Sequence, residues 1–232
     1  MSINSLIKGW VGEQKTQLVQ KILLDKEIYH QINNVIIPTN LGTTQIDQII
    51  VSKFGIFVIE TKDKKGRIYG SEKDSQWTQV VLNNGYINKY KFQNPLRQNY
   101  AHTRSVAELL NIPHNKTHSV VVFWGGCELM MKLPEYVIEG NHTRYIKSKK
   151  EILLSDEEVS DAYTKLLKLK SDTPLLAGFS HVKSLKQRYA SNTACPKCGS
   201  ALVKRKIHKG EKAGQEFLGC EKFPRCRYTK EY

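Results

Sequence analysis

Asp47, Glu60 and Lys62 are the residues whose types and spacing most suggest chemistry. One residue separates Glu60 from Lys62, and side chains alternate faces along a strand, so these two would point the same way. Two carboxylates in one cleft repel each other unless a cation lies between them, and carboxylate oxygens suit Mg²⁺ or Mn²⁺. Such an ion polarises a phosphodiester, while a lysine neutralises charge that develops on the phosphate. The three residues therefore predict phosphoryl-transfer chemistry.

A hairpin over residues 44–62 would bring these side chains together. Residues 56–59 are wholly apolar, which is typical of a buried strand, and the residues before them favour a partner strand. With a two-residue loop at 53–54, Asp47 opposes Glu60 at about 5 Å between Cβ atoms. A loop one residue longer or shorter would move Asp47 to the opposite face. The alternative is a surface hairpin with an ordinary glutamate–lysine pair.

Around the hairpin, hydrophobic periodicity predicts alternating helices and strands, and hence an α/β fold. The first helix, at residues 5–24, contains Gly9 and Gly12, which indicate close packing against a neighbour or a ligand. Glu13 follows directly and could reach a metal site from there. Further strands are predicted at residues 28–37 (ending at Pro38), 67–70, 76–82, 86–92 and 118–124, with two short strands in 130–146; further helices are predicted at 95–110, 156–169 and 178–190.

Several single side chains are weaker candidates for the site. Gln79 and Gln98 could make contacts near the carboxylates. His102 lies one helical turn after Gln98 and could contact a phosphate, although a lone helical histidine is typical of the surface. Trp77 is expected to be a core or edge residue rather than a base-stacking platform, and Cys127 a small buried hydrophobe.

The charge of the chain indicates a polyanionic partner. The 232 residues are 40% hydrophobic and 25% charged, which is ordinary for a globular protein, yet 36 Lys and Arg against 22 Asp and Glu give a formal charge of +14. Nucleic acid is the commonest polyanion, and an acidic membrane surface is the alternative. No apolar run approaches the roughly 20 residues that span a bilayer, and the N-terminus lacks a signal-peptide core. We therefore expect a cytoplasmic protein that binds DNA and no membrane.

Four cysteines near the C-terminus have the spacing of a metal site. Cys195 and Cys198 form C-x2-C, twenty-one residues follow, and Cys220 and Cys226 form C-x5-C. Four thiolates complete a tetrahedral Zn²⁺ shell, and a site without an open position is structural rather than catalytic. The alternative of two disulfides is disfavoured where thiols stay reduced. One structural Zn²⁺ would replace the core that so short a segment cannot build.

The same tail is basic and aromatic. From Asn192 onward it holds ten Lys or Arg against four Glu. Phosphate contacts combined with base stacking are typical of modules that bind single strands. The alternative is a zinc ribbon that docks a protein. The candidate nucleic-acid contacts are Lys204, Arg205, Lys206, Phe217, Phe223, Arg225, Arg227 and Tyr228.

An ordered series of short motifs resembles the nuclease-related (NERD) domain family over about residues 8–125. The motifs are Gly9-x-x-Gly12-Glu13, Gln45-Ile46-Asp47, Gly55-Ile56-Phe57-Val58-Ile59-Glu60-Thr61-Lys62, Gly66-x-Ile68-x-Gly70, Trp77-x-Gln79 and Asn94-Pro95-Leu96-x-Gln98. Their ordered combination is more specific than any one of them. Ile46 stands where the family pattern has a proline, a departure that leaves the acid at position 47 in place.

This resemblance implies a PD-(D/E)xK nuclease: an α/β (α+β), restriction-endonuclease-like fold whose mixed central sheet is flanked by helices. It implies catalytic roles for Asp47, Glu60 and Lys62 and a supporting role for Glu13. Mg²⁺ or Mn²⁺ would be held by the two acids and by the carbonyl of Thr61. The implied activity is in-line hydrolysis of phosphodiester bonds in DNA, leaving a 5′-phosphate. The alternative is a non-catalytic DNA- or RNA-binding adaptor that keeps the fold.

The tail resembles the zinc finger at the C-terminus of bacterial type I topoisomerases, through CPKCGSALVKR at residues 195–205 and FLGCEKFPRCRY at 217–228. Nothing in the chain resembles the catalytic body of a topoisomerase, so strand passage is not implied. We expect a nuclease domain at residues 1–190, with its core at about 8–125 and a C-terminal extension, and a DNA-holding zinc ribbon at 191–232.

Overall fold

The chain divides into two compact units, which are described separately. One unit is Met1–Ile37 with Gln45–Asp172, and the other is Pro38–Thr44 with Thr173–Tyr232. The computed structural model describes residues 3–39, 42–172, 189–196, 200–208, 210–211 and 213–231, with the backbone alone for 3–11. Most of the helix expected at 178–190 lies outside these residues, and the domain boundary at 190 stays a prediction.

The first unit contains the alternating helices and strands that the sequence predicts. The helices are α1 (Ile3–Leu23), α2 (Pro95–Leu110), α3 (Thr143–Ser148) and α4 (Asp156–Ser171). The strands are β1 (His30–Thr39), β2 (Gly42–Ser52), β3 (Gly55–Asp63), β4 (Gly66–Tyr69), β5 (Gln76–Asn83), β6 (Tyr86–Gln93), β7 (Thr117–Trp124), β8 (Cys127–Leu129) and β9 (Val137–Glu139). The end of β1 and the start of β2, within Pro38–Thr44, are grouped with the other unit. None of the helices in the described residues is long and apolar enough to cross a membrane.

A five-stranded mixed sheet with the order β1-β2-β3-β7-β9 forms the centre of this unit. β2 and β3 are antiparallel, whereas β7 runs parallel to both β3 and β9. One sheet face packs on α2 and α4, through Val106 and Leu166, and the other packs on α3, through Ile146. The mixed α/β fold class with helices on both faces is therefore confirmed.

Two local predictions differ from the structure. β1 passes through Pro38 and ends at Thr39, because it lies at the edge of the sheet, where a missing amide breaks no ladder bond. The region expected to hold two short strands has one strand followed by α3, which begins where Asn141 Oδ1 accepts the backbone N–H of Thr143 at 3.0 Å. This side-chain turn redirects the chain into a helix, and strand propensity does not report it.

The β2–β3 hairpin has the predicted register. Ser52 pairs with Gly55 across a two-residue loop, and the ladder continues to the pair Gln48–Ile59. The residue numbers of each pair add up to 107, and continuing this register would place position 47 opposite position 60. Both strands are buried on both faces along this ladder, so the two-residue turn, and not the apolar pattern, sets the register.

A second sheet, with the order β6-β5-β4-β8, packs on the first through aromatic side chains. Trp77 stacks on Phe123 with ring centroids 6.2 Å apart, and its indole N–H donates to the carbonyl of Ser71 at 2.9 Å. Trp77 is thus a core residue, as predicted. Cys127 is also buried, as predicted, and burial raises the pKa of its thiol to about 11.

A buried polar pair joins α1 to the start of α3. The ring Nε2 of His142 lies 2.5 Å from the side-chain amide of Gln20, and its Nδ1 lies 3.4 Å from the carbonyl of Gly140. A carbonyl only accepts, so Nδ1 carries the proton and Nε2 accepts from Gln20. Burial lowers the pKa of His142 from 6.5 to about 4, and the contact with Gly140 opposes the change only in part.

We expect this histidine to make the free energy of unfolding pH-dependent. Its folded pKa is lowered, so the unfolded chain binds the proton first, and stability falls as pH drops from about 6.5 towards 4. The loss is on the order of 3 kcal/mol. Urea unfolding at successive pH values measures it, and His142→Gln, which cannot titrate, should flatten that slope relative to wild type. Equal slopes in the two proteins would contradict the assignment.

Candidate active site and cysteine cluster

The first feature of the site is a gap where β2 and β3 diverge. Hydrogen-bonded and non-bonded pairs alternate along an antiparallel ladder, so after Gln48–Ile59 the next bonded pair would be Ile46–Thr61. Instead, the backbone N–H of Thr61 donates to Oδ2 of Asp47 at 2.8 Å. The carboxylate thus takes the place of a ladder carbonyl. Because the N–H and C=O of one strand residue point to the same side, the carbonyl of Thr61 faces this gap too.

Glu60 and Lys62 form an ion pair beside the gap. Glu60 is only 2% exposed, and its Oε1 accepts from the ammonium of Lys62. Lys62 also donates to Oε1 of Gln98 on α2 at 3.1 Å. Two acceptors from different elements therefore fix the position of the lysine. Gln98, a weaker candidate from the sequence, lies in the site.

His102 lies on α2, one turn beyond Gln98, and faces the same carboxylate. Its Nδ1 is 3.5 Å from Oε2 of Glu60, and the ring is buried. The expectation of a surface histidine was wrong, because α2 packs this side against the sheet. Within the described part of the chain Oε2 of Glu60 accepts no hydrogen bond and faces the His102 ring, so this buried oxygen can bind a ligand.

Close packing of α1 on β3 brings Glu13 to the site. A Cβ atom at Gly12 would lie 3.1 Å from Cβ of Asp63 and 3.4 Å from Cγ2 of Thr61, so a larger residue would push the helix away. This confirms that Gly12 marks a close approach. Thr16, one turn further, accepts from the indole N–H of Trp124 at 2.6 Å and fixes the helix on the sheet.

The charges at the site shift the pKa values of Asp47, Glu13 and Lys62. The pKa of Asp47 lies well above its usual value, mainly because the carboxyl is buried and lies near the charge of Glu60, and to a smaller extent near that of Glu13. The hydrogen bond from the N–H of Thr61 and the charge of Lys62 act in the opposite direction. Burial and the charge of Glu60 likewise raise the pKa of Glu13. For Lys62, burial acts to lower the pKa, but the charge and hydrogen bond of Glu60, together with Asp47, raise it on balance. Three acids thus share one cationic side chain.

This donor set fits a hard divalent cation. Such ions bind carboxylate and carbonyl oxygens, and Asp47, Glu60 and the carbonyl of Thr61 supply them at one gap. The unfavourable proximity of the acids would be relieved by the added positive charge. We infer that the residues suit Mg²⁺ or Mn²⁺.

Two asparagines hold α2 in place: Asn94, which belongs to a motif seen in the sequence, and Asn99, which the sequence did not single out. Asn94 caps the helix by accepting the N–H of Leu96 at 2.9 Å, and its amide donates to three carbonyls of the loop 71–74. Asn99 is buried and donates to the carbonyl of Val58 on β3 at 2.9 Å and to β7. The Asn94-Pro95 signal thus reports the start of the helix that positions Gln98 and His102.

Gln79 does not join the carboxylates. It lies on β5, opposite Ile68, and its amide donates to the carbonyl of Lys65 at 2.8 Å. In the described residues no hydrogen bond links it to Asp47, Glu60 or Lys62. Its hydrogen bond to Lys65 supports the turn that follows β3.

In the second unit, β10 (Leu202–Lys206), β11 (Glu216–Cys220) and β12 (Thr229–Glu231) form a three-stranded antiparallel sheet over a cysteine cluster. The sulfur atoms of Cys195, Cys220 and Cys226 lie within 4.8 Å of one another, and none forms a disulfide. The Sγ atoms of Cys195 and Cys226 are 3.7 Å apart, close to the roughly 3.8 Å edge of a tetrahedron with Zn–S bonds of about 2.3 Å. Cys198 lies outside the described residues. The cluster fits a structural Zn²⁺.

The candidate nucleic-acid contacts of the ribbon differ in exposure. Arg205 donates to the carbonyl of Cys220 at 3.2 Å and packs under the ring of Phe223, so it also supports the cluster. Tyr228 packs against the cysteines, and Phe217 is half-buried. The exposed candidates are Lys204, Lys206, Phe223, Arg225 and Arg227. These positions are open to a phosphate backbone.

Comparison with known proteins gives two separate matches along the chain. The nuclease-related domain matches residues 8–124, and the topoisomerase DNA-binding C4 zinc finger matches residues 192–232. An uncharacterized protein of Bacillus anthracis is 34% identical over 178 residues, which cover 72% of this chain and 82% of that protein. DNA topoisomerase 1 from two strains of Helicobacter pylori is 36% identical over 55 residues, which cover 24% of this chain and only 7% of the topoisomerase.

Proposed function

Because the chain belongs to the nuclease-related domain family and carries a topoisomerase-type C4 zinc finger, we propose that it is a Mg²⁺-dependent nuclease that hydrolyses phosphodiester bonds in DNA. The observation that carries the proposal is the gap between β2 and β3, where Asp47 replaces a ladder carbonyl beside the buried Glu60–Lys62 pair. We expect the protein to act in the cytoplasm.

Each residue of the site has a distinct role. Asp47, Glu60 and the carbonyl of Thr61 would hold the ion, which when bound would supply a Lewis acid for the scissile phosphate and a water of lowered pKa. Lys62 positions the attacking water and neutralises charge on the phosphate, and Gln98 keeps its ammonium in place. Glu13 orients a water or a second ion from α1. Attack in line with the leaving 3′-oxygen leaves a 5′-phosphate.

The zinc ribbon is the DNA-holding part of this proposal. Its exposed basic residues neutralise phosphates, and Phe223 offers an aromatic surface to an unpaired base. Binding through phosphates releases counterions, so affinity should fall steeply as salt rises. A flat salt dependence would remove this role from the ribbon.

A non-catalytic adaptor that keeps the nuclease fold is the second candidate. A protein that only binds DNA gains nothing from acids that face the phosphates, since they repel the ligand. Burial and mutual repulsion already raise the pKa values of Asp47 and Glu13, so the cluster is costly to keep. This cost favours the enzyme over the adaptor.

Incubation of the metal-free protein with circular single-stranded, linear single-stranded and supercoiled DNA, with and without Mg²⁺, tests the proposal. We expect cleavage only when Mg²⁺ is present, with 5′-phosphate ends that a ligase accepts. Cleavage of the circles would identify an endonuclease. DNA binding without cleavage in Mg²⁺ or Mn²⁺ would favour the adaptor.

A further inference from the structure

The β5–β6 hairpin exposes large side chains at its outer end. Tyr86 is 76% and Tyr90 55% exposed, and Leu82 and Ile87 are 72% and 68% exposed. The turn at residues 84–85 has φ angles of 49° and 79°, which suit a tight two-residue hairpin loop. The hairpin therefore presents these side chains from a defined backbone, and a cluster of this kind marks an interaction surface.

The strand register sorts the side chains onto two faces. One, the tyrosine face, is formed by the register pairs Trp77–Phe92, Gln79–Tyr90, Val81–Asn88 and Asn83–Tyr86. Leu82 pairs with Ile87 on the opposite, aliphatic face. The inner end of the tyrosine face is occupied by the buried Trp77, whereas its two tyrosines are open to solvent.

The tyrosine face is turned towards the sheet face that carries the active-site residues. Phe123 is the register partner of Lys62 in the parallel β3–β7 pair, so both side chains leave the same face of the central sheet. Trp77 stacks on that Phe123 with an interplanar angle of 10°. The two sheets therefore meet through the faces that bear Lys62 and the tyrosines.

Two contacts continue this path from the site to the hairpin. The ammonium of Lys64, two residues beyond Lys62, lies 4.6 Å from the ring centroid of Phe92. Gln79 donates to the carbonyl of Lys65 and is the register partner of Tyr90. A continuous series of neighbouring residues thus leads from Lys62 through Lys64 to the exposed tyrosines.

The chemistry of the hairpin favours a polyanion. Residues 76–93 contain no Asp or Glu; Lys89 and Lys91 of β6 lie on the aliphatic face, and a cation beside the tyrosine face is Lys64, over the ring of Phe92. β6 is an edge strand, and lysines on an edge oppose pairing with a second copy of the sheet. A tyrosine ring accepts any nucleobase by stacking.

We propose that the tyrosine face binds single-stranded DNA as it leaves the carboxylate site, with bases stacked on Tyr90 and Tyr86 and a phosphate near Lys64. The inference rests on the proposed function, because it is the site that supplies the strand. Bases in a duplex are already stacked on each other, so the face discriminates single strands from duplexes. It is separate from the zinc ribbon and lies wholly within the first unit.

Fluorescence anisotropy with a labelled oligothymidylate in a buffer without Mg²⁺ or Mn²⁺, where the metal-dependent step is blocked and the zinc is kept, tests this face on the full chain. The double variant Tyr86→Ala/Tyr90→Ala should bind the single strand at least about tenfold more weakly, since each stacked base contributes at about this level. Affinity for a duplex of equal charge should not change. Tyr86→Phe/Tyr90→Phe keeps both rings and should retain single-strand affinity.

Leu82→Ser/Ile87→Ser is the matched control, with equal exposure on the opposite face of the same hairpin, and it should bind like wild type. Unchanged single-strand affinity in the alanine variant would overturn the proposal. A change in sedimentation mass instead of affinity would assign the face to self-association and overturn it too. If wild type fails to cleave DNA in Mg²⁺ while the alanine variant loses single-strand binding, the nuclease proposal falls and the tyrosine face stands.

Discussion

Asp47→Asn should lower the rate of Mg²⁺-dependent DNA cleavage by about 10³-fold and at the same time stabilise the metal-free protein. The asparagine Oδ1 can still accept the N–H of Thr61, so the local structure should be kept. The charge that burial and Glu60 disfavour is gone, which raises the free energy of unfolding. The lost ion ligand removes transition-state stabilisation, for which 10²- to 10³-fold or more is typical of single groups. Initial cleavage rates and urea unfolding in EDTA measure the two effects.

The opposite signs of the two effects separate a catalytic role from a structural one. A residue that merely supports the fold would lose activity and stability together. Mg²⁺ should raise the melting temperature of wild type by mass action, and less so that of Asp47→Asn. Asp161→Asn, an exposed aspartate on α4, serves as control and should leave rate and stability unchanged. Full cleavage by Asp47→Asn would refute the assigned role.

The hairpin register was predictable from the sequence for a simple physical reason. A strand alternates with a period of two, so loop length alone decides whether Asp47 faces Glu60 or turns away. The two-residue turn sets this register, and the structure shows it from Gln48 to Gly55. The element order of the first unit followed from similar local signals, among them the serine cap of α4 and the Asn84-Gly85 turn.

Features that depend on tertiary packing were not predictable in this way. The divergence of β2 from β3 shows only in the hydrogen bond that Thr61 makes to a side chain instead of to Ile46. Whether His102 is buried depends on which side of α2 meets the sheet, and one histidine in a helix does not reveal it. Asn99 reads as an ordinary helix residue, yet it bridges α2 to two strands.

Gly12 is a residue whose partner only the packing of the fold reveals. A glycine within a helix costs about 1 kcal/mol relative to alanine, which predicts some compensating contact but not its partner. The structure places β3 there, against Asp63 and Thr61. The position of Glu13 follows from this contact, since the residue next to the closest approach lies beside the diverging strands.

Removal of zinc should unfold the ribbon and leave the first unit folded. Only a small apolar cluster surrounds Cys195, Cys220 and Cys226, whereas the first unit has three larger cores of its own. A structural zinc contributes on the order of 10 to 16 kcal/mol in small domains of this kind, far more than such a cluster can supply. Cys220→Ser should therefore lose the bound metal and the strands β10–β12, and bind DNA more weakly.

Cys127→Ser provides a matched control for the ribbon. Cys127 is the remaining cysteine of the chain, but it is buried beside Trp77 and Phe123, and burial holds the pKa of its thiol at about 11, which is unfavourable for the thiolate that zinc needs. Metal analysis should give about one zinc per chain for wild type and Cys127→Ser and none for Cys220→Ser. Amide exchange should then rise across β10–β12 only. The metal site would be refuted if Cys220→Ser kept its zinc, or if wild type contained none. In the second case no metal ion would account for the three clustered sulfur atoms.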